Sequence, residues 1–332
     1  MRVKKVFKIL TIDGGGIKGL YSSKIIEHFE DEFNCHMSDY FDLICGTSTG
    51  GIIALALSLR IKAKEISKLY EEKGSLIFPA QVKLIGIAKQ LFINGKYSDK
   101  NLRVALKETF GDKKIKDSNN LLCIPCYSLT DARNWVFKYD HKENNSCRDN
   151  ESYYVDVALA TSSAPTFFPI CEIPYYDHKQ FVDGGVWANN PSLVGLIEAL
   201  RFFVGPGKEF NELKILSISC LSHTLGKRPG IKRNRSFLHW RNDIFNIMMN
   251  SQAKFNEYFM SQMNNTNSVP ISYVRILPEI LSPEQQKLIS MDNSSKNAIN
   301  LLNGLGNNVG FIWRKREEVA DFFKEQKLYQ IK

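Results

Sequence analysis

The sequence lacks a long apolar run. Its most apolar stretch, residues 51–59, already contains Ser58 and falls far short of the roughly 20 residues that a membrane-spanning helix needs. The first 13 residues include four basic side chains scattered among the apolar ones, which is unlike the apolar core of a secretory signal. We therefore expect a chain that is made and kept in the cytoplasm.

Cysteine is scarce and odd in number. Seven cysteines without a secretory signal argue against a disulfide framework. Cys123 and Cys126 form a C-x-x-C motif, but a zinc site needs a second ligand pair at similar spacing, and the sequence has none. A thioredoxin-like motif begins a helix, whereas residues 121–127 read as a strand. We expect both thiols to be buried and structural.

Acidic residues are outnumbered, with 35 Asp and Glu against 44 Lys and Arg, which gives a formal net charge of +9. The apolar fraction of 43% is ordinary for a globular protein. A chain of 332 residues can fill one large α/β domain or two small ones. The positive excess favours an anionic partner, such as a nucleotide, a nucleic acid or an anionic lipid surface, without choosing among them.

Short apolar strands alternate with helices in the first part of the chain. Residues 7–12 read as a strand, and apolar residues then recur every fourth position over 17–33, as in an amphipathic helix. Residues 41–45 form a second such strand, and 52–60 a second helix. This order predicts a mostly parallel sheet with helices on both faces.

Later segments continue the same alternation. We predict strands at 121–127, 135–139, 213–220 and 272–276, helices at 152–163 and 193–203, and one or two helices over 237–263. We assign residues 1–225 to an α/β catalytic domain and residues 226–332 to a helical region packed on it.

The sequence Gly46-x-Ser48-x-Gly50 matches the nucleophile elbow, a sharp turn between a strand and a helix that exposes a serine hydroxyl. The string alone also fits an ordinary loop of small residues. A predicted strand before it and a predicted helix after it supply the required context. The helix N-terminus behind the serine would favour a developing oxyanion. We predict that Ser48 is a nucleophile.

A second glycine-rich turn follows the first strand. The spacing Gly14-x-Gly16-x-x-Gly19 matches the dinucleotide fingerprint, which makes an oxidoreductase a real alternative. That alternative needs an acidic residue at the tip of the second strand, whereas Asp42 lies inside it. The competing interpretation is an oxyanion hole. Its donors would be the backbone N–H groups of Gly14, Gly15 and Gly16.

Two residues are candidates for the base that a serine nucleophile needs. His223 follows the predicted strand at 213–220, in the chain order of α/β-hydrolases. Asp183 follows an apolar pair and precedes Gly184 and Gly185. A carboxylate can itself act as a general base within hydrogen-bond reach of the serine. The residues alone leave both candidates open.

The three motifs, in this order, resemble the patatin-like phospholipase family over roughly residues 7–200. Two further segments, 160–169 and Asn189-Asn190-Pro191, are similar to that family as well. The resemblance implies a three-layer sandwich with a mostly parallel central sheet and a helical C-terminal extension. It also implies a catalytic Ser48–Asp183 dyad, the glycine oxyanion hole above, and no metal or cofactor. Supporting positions in its motifs would be Gly19, Gly46, Gly50, Gly184 and Gly185.

The resemblance also implies partners. The substrate would be membrane phospholipids, from which fatty acids are released during transient contact with the inner face of the membrane, with no nucleic acid partner. Lys18, beside the glycine loop, would meet a lipid phosphate or remain a solvated lysine.

A weaker resemblance concerns regulation. The segment 69–79 and the Trp-containing C-terminal helices look like bacterial patatin-like effectors of anti-phage (CBASS-type) cyclic-oligonucleotide signalling. This implies activation by a cyclic dinucleotide. The basic stretch 225–241 would suit an anionic ligand, a lipid surface or water, and no nucleotide-binding residue can be assigned.

Two alternatives to this regulated enzyme remain open. One is a constitutive lipid acyl hydrolase of the same fold, and the other is a binding module with a vestigial dyad. The aromatic and Met residues between 240 and 259 suit either the core or a membrane-facing patch.

Overall fold

A single mixed sheet lies at the centre of the molecule. The computed structural model describes residues 5–79, 95–144, 147–221, 229–231, 233–263 and 269–331. The strands of this sheet are β1 (Val6–Ile12), β2 (Leu43–Gly46), β3 (Leu121–Ser128), β4 (Arg133–Lys138), β5 (Cys171–Ile173), β6 (Lys179–Asp183), β7 (Glu212–Ile218) and β8 (Ile271–Ile276). Followed from one hydrogen-bonded neighbour to the next, they run β5, β6, β3, β2, β1, β7 and β8, with β4 also paired to β3.

Most of the sheet is parallel, as predicted. Neighbouring strands from β8 through β7, β1 and β2 to β3 are all parallel. Strands β4 and β6 run antiparallel to β3, and β5 runs antiparallel to β6. Because the central strands are covered on both faces, β1 and β2 are apolar almost throughout.

Helices cover both faces of the sheet. Within the described residues they are α1 (Gly19–Glu32), α2 (Thr49–Ser58), α3 (Ala63–Ile77), α4 (Lys100–Phe110), α5 (Tyr154–Ser162), α6 (Gly185–Ala188), α7 (Ser192–Phe202), α8 (Phe237–Met263), α9 (Pro283–Leu288), α10 (Lys296–Trp313) and α11 (Glu317–Ala320). Helix α7 packs on one face, where Gly195 lies against Ile9 and Cys45. Helices α1, α2, α3 and α5 pack together on the other. The predicted three-layer α/β architecture is confirmed.

The C-terminal region contributes to the sheet itself. Strand β8 pairs in parallel with β7 along its whole length. From β8, Arg275 reaches back to the carboxylate of Asp13, which follows β1. Its two terminal nitrogens donate to the two Asp13 oxygens at 2.9 and 2.6 Å. Residues after 225 therefore add a strand and a buried ion pair to the first part of the chain, and the boundary at 225 stays a prediction.

Replacing Arg275 by Met should destabilise the protein. The Asp13 carboxylate is almost fully buried, and loss of its partner leaves an uncompensated charge, which typically costs about 3–5 kcal/mol. Urea unfolding at pH 7.5 measures the change. Arg316→Met is the matched control, since its ion pair with Glu318 is exposed and contributes less than about 1 kcal/mol. Equal unfolding midpoints for the two variants would contradict the prediction.

Candidate active site

The predicted elbow at Ser48 is present. Strand β2 ends at Gly46 and helix α2 begins at Thr49. Between them Ser48 adopts φ 55° and ψ −124°, a backbone conformation that non-glycine residues rarely occupy. A Cβ atom at Gly46 would lie 2.0 Å from the Gly50 carbonyl oxygen, and one at Gly50 would lie 2.3 Å from the Ile12 carbonyl oxygen. The turn is therefore closed to larger residues.

The sheet brings a second chain segment to this elbow. Strand β4 occupies one edge of β3 from Cys123 to Ser128. Along the other edge, β2 pairs with residues 121–123 and β6 pairs with residues 126–128 in the opposite direction. Since β2 and β6 lie end to end and point at each other, their C-terminal ends meet. Ser48 follows one of these ends and Asp183 forms the other.

Asp183 is fully buried. Its Oδ1 accepts a hydrogen bond of 2.7 Å from the Gly185 N–H. Burial raises the pKa of Asp183 to about 7. Hydrogen bonds from the Gly185 N–H and the Ser48 hydroxyl lower this pKa, but by less than burial raises it. The contact with Ser48 is loose, because Oδ2 has no partner of ordinary hydrogen-bond geometry among the described residues. Catalytic hydrogen bonds are often long before substrate binds.

The close approach of the Asp183 turn to β3 requires a glycine. A Cβ atom at Gly184 would lie 2.2 Å from the Pro125 carbonyl oxygen. Pro125 occupies the gap between the ends of β2 and β6. Its carbonyl also accepts a hydrogen bond of 2.6 Å from the Thr161 hydroxyl, which in turn accepts one of 3.0 Å from the Ser48 N–H. Thr161 thus fixes the backbone of Ser48, a role that was not predicted although the segment 160–169 was singled out.

The glycine loop lies beside Ser48. A Cβ atom at Gly14 would lie 3.2 Å from the Cβ of Ser48. The Gly14 N–H donates to the Asn189 carbonyl oxygen at 3.0 Å. Gly16 has φ +63°, and a side chain there would lie 2.2 Å from the Met291 carbonyl oxygen. Among the described residues no backbone acceptor is seen for the N–H groups of Gly15 and Gly16, so these two of the three predicted donors are available.

The remaining motif glycine, Gly19, is also sterically required. A Cβ atom at this position would lie 2.1 Å from the Thr49 hydroxyl oxygen at the start of α2. Gly19 therefore permits the close contact between the glycine loop and the elbow helix.

A small apolar cavity of about 40 Å³ opens at the elbow. Ser48 and Gly16 lie at one side of it. The other lining side chains are mainly apolar and aromatic, including Ile52, Leu69, Tyr70, Ile77, Phe78, Leu102, Phe167 and Phe168. A cavity of this chemistry suits a hydrocarbon chain, because each buried methylene group contributes about 0.8 kcal/mol.

Four further predictions concern His223, Lys18, the two cysteines of the C-x-x-C motif, and Asp42. His223 lies outside the described residues. Lys18 is only 6% exposed, so the expectation of a solvated lysine is wrong. Cys123 and Cys126 are buried free thiols, as predicted. Asp42 lies just before β2, where its carboxylate accepts the N–H groups of Lys8, Leu328 and Tyr329, so it cannot serve as the ribose ligand of a dinucleotide site.

The described ranges contain no helix that is both long and apolar enough to cross a membrane. They also contain no group of three or more His, Cys, Asp or Glu side chains arranged to hold a metal ion.

Comparison with known proteins agrees with these observations. Residues 10–194 match the family model of patatin-like phospholipases. A Pseudomonas aeruginosa protein named cGAMP-activated phospholipase is 31% identical over 305 residues, covering 91% of this chain and 87% of that protein. A Vibrio cholerae protein of the same name is 28% identical, covering 97% and 96%. Patatin-like protein 2 of Arabidopsis thaliana is 26% identical, covering 82% and 76%.

The family match covers more than half of the chain and includes both the glycine loop and the elbow. The chain belongs to the patatin-like phospholipase family and is a lipid acyl hydrolase.

Proposed function

We propose that Ser48 and Asp183 form the catalytic dyad of this hydrolase. The observation that carries the proposal is the meeting of β2 and β6, which places the elbow serine against a buried carboxylate. Ser48 Oγ attacks the acyl carbon of a phospholipid ester while Asp183 takes the hydroxyl proton. Collapse of the tetrahedral intermediate releases the lysophospholipid alcohol, which receives that proton. The fatty acid is then held as an ester of Ser48. Asp183 takes a proton from water, whose oxygen attacks this ester, and the fatty acid leaves as the proton returns to Ser48 Oγ.

The surroundings of the dyad support this chemistry. The N–H groups of Gly15 and Gly16 are the donors that would hold the oxyanion. The small apolar cavity at Ser48 would take the first methylene groups of the acyl chain. No step of this mechanism requires a histidine, and His223 has no role in it.

The enzyme is proposed to be an effector activated by a cyclic dinucleotide of the cGAMP class. Support comes from the two bacterial relatives named cGAMP-activated phospholipases, which match nearly the whole chain. Activated in this way, the enzyme would degrade phospholipids at the inner face of the cell's own membrane as an antiviral response. A constitutive acyl hydrolase is the alternative, and full activity without nucleotide would identify it.

Transient membrane contact is proposed to involve helix α8. Its outer face exposes large apolar side chains at helical spacing, with Phe255 61% and Tyr258 66% exposed. Ile244, Ile247, Met248 and Phe259 extend the same face. The basic residues Arg233 and Arg235 precede the helix, and an anionic lipid surface matches a face that is apolar and flanked by cations. The inner face carries Met249, which is buried.

Removal of either dyad residue should abolish hydrolysis. Ser48→Ala and Asp183→Asn are each expected to lower fatty acid release at least about a thousandfold, because the two residues act as a unit. Fatty acid release from phosphatidylglycerol and phosphatidylethanolamine vesicles, with and without 3′,3′-cGAMP, provides the measurement. The exposed Asp177→Asn is the matched control and should retain wild-type activity. Retained hydrolysis in a folded Ser48→Ala protein would refute the dyad.

The pH dependence should report Asp183. Its carboxyl must be ionised to accept the proton, so kcat/KM should fall about tenfold per pH unit below about 7 and level off above it. The pKa of Asp183 is about 4 in the unfolded chain and about 7 in the folded protein. Ionisation of this carboxyl therefore lowers the free energy of unfolding as the pH rises from about 4 to about 7. Asp183→Asn should therefore stabilise the fold by a few kcal/mol at pH 8 and very little at pH 4. Thermal unfolding at both pH values checks this sign, and the reverse order would exclude a raised pKa.

Substitution on the outer face of α8 should weaken action on membranes alone. Phe255→Ser is expected to lower hydrolysis of vesicles several-fold and to leave hydrolysis of dissolved p-nitrophenyl butyrate unchanged. Phe311→Ser, another exposed phenylalanine on a long helix, is the control. Equal vesicle activity for the two variants would place the membrane contact elsewhere, and a change in oligomeric state would identify a second copy of the chain as the partner.

A further inference from the structure

A second cavity lies on the other side of the glycine loop. It has a volume of about 240 Å³ and sits where β1, β7 and β8 end, beneath helix α8. From β1 the chain continues to β2 on one side, whereas β7 occupies the other side of β1. The crevice at such a topological switch point is where open α/β sheets bind ligands. The position of the cavity is therefore that of a ligand site.

One buried cation in this cavity has no counter-ion among the described residues. Lys18 Nζ donates to the Leu221 carbonyl oxygen, and in the described part of the chain no carboxylate lies within salt-bridge distance of it. A buried ammonium group without a paired charge is costly, so an anionic ligand beside it would be favoured. Lys254 on α8 lines the same cavity.

The cavity also contains carboxylates, but they face Arg275. Asp13 is held in a two-bond ion pair by Arg275. Glu257 lies close enough to Arg275 to raise its pKa electrostatically. Arg275 thus offsets one of these two charges, and with Lys18 and Lys254 the lining carries three cations against two anions.

Polar groups with unused hydrogen-bonding capacity complete the lining. The side-chain oxygen of Asn189 and the Nε of Arg275 are buried and have no partner among the described residues. Asn246 and Asn250 line the cavity from α8. No aromatic side chain lines its described part, so a ligand would be held by charge and hydrogen bonds rather than by stacking.

We propose that this cavity binds a phosphodiester, with its anionic oxygens at Lys18 and Lys254 and its neighbouring polar groups at the asparagine side chains. The inference rests on the proposed function. It assigns to this cavity either the binding of the activator or the recognition of the substrate by the same enzyme. Two molecules supply this chemistry, the cyclic dinucleotide activator and the headgroup of the phospholipid substrate. The cavity volume suits a phosphate and its nearest groups in either case.

The walls of the cavity connect it to the catalytic residues. Gly14 lines the cavity and lies beside Ser48, and Met291 lines both this cavity and the apolar one. On the opposite wall, Met249 of α8 lies close to Gly185. A Cβ atom placed on Gly185 would be 3.3 Å from the Cε atom of Met249. An occupant would therefore press on the glycine loop and on the turn of Asp183, the two segments that must align for hydrolysis.

Direct binding gives the first test. Fluorescently labelled 3′,3′-cGAMP is titrated into the full-length Ser48→Ala protein and into the same protein carrying Lys18→Met or Lys254→Gln. Each added substitution is expected to raise Kd at least about tenfold, in line with a lost charge-assisted contact. Lys100→Gln replaces an exposed lysine that does not line the cavity and should leave Kd unchanged.

Hydrolysis separates the two sources of the phosphodiester. With Ser48 intact, KM is measured for phosphatidylglycerol and for p-nitrophenyl butyrate, which carries no phosphate. A raised Kd for cGAMP identifies the activator as the ligand. An unchanged Kd with KM raised at least about tenfold for phosphatidylglycerol alone identifies the headgroup.

The proposal is overturned if both Kd and KM stay at the control values in folded Lys254→Gln protein. This variant decides the matter even if Lys18→Met fails to fold, because Lys254 is exposed at the cavity mouth. Failure of the dyad would be seen separately, as hydrolysis by Ser48→Ala, and would not alter the binding result.

Discussion

The end-to-end meeting of β2 and β6 along one edge of β3 is the constraint on which the site depends. A parallel strand in this position would carry Asp183 away from the elbow, whereas the antiparallel β6 delivers it directly to Ser48. The junction is narrow, and Pro125 and Thr161 fill it with carbonyl and hydroxyl groups that leave no room for a side chain at position 184. The glycine at position 184 is therefore a consequence of strand geometry.

Local pattern allowed much of the fold and the elbow to be predicted. The strand before Ser48 and the helix after it follow from apolar spacing, and the conformation of Ser48 follows from the elbow motif. The partner of Ser48 could not be derived in this way, because residues distant in the chain become neighbours only through the antiparallel insertion of β6. The same limit applies to Lys18, whose burial depends on the Leu221 carbonyl at the end of β7. Helices α3 and α4 were not predicted, since no motif drew attention to them.

Burial of Asp183 raises the basicity of its carboxylate at the expense of stability. A carboxylate in water has a pKa near 4 and is a weak base, whereas a desolvated one near 7 is a much better acceptor for a hydroxyl proton. The single strong hydrogen bond from Gly185 keeps the carboxylate oriented without returning its pKa to the ordinary value. An enzyme of this design carries an ionised, poorly solvated group at neutral pH, and the surrounding apolar core must offset that cost.

Helix α8 connects the outside of the molecule with the glycine loop and the turn of Asp183. Its outer face is apolar and its inner face covers the polar cavity. Asn256 of this helix donates to the Asn190 carbonyl oxygen. The neighbouring Asn189 carbonyl oxygen accepts the Gly14 N–H of the glycine loop. A small shift of this helix would therefore alter its exposed apolar face, the polar cavity and the turn of Asp183 together. The two proposed partners, an anionic membrane and a phosphodiester, would both lie against this helix, which would give the positive charge of the chain a physical reason.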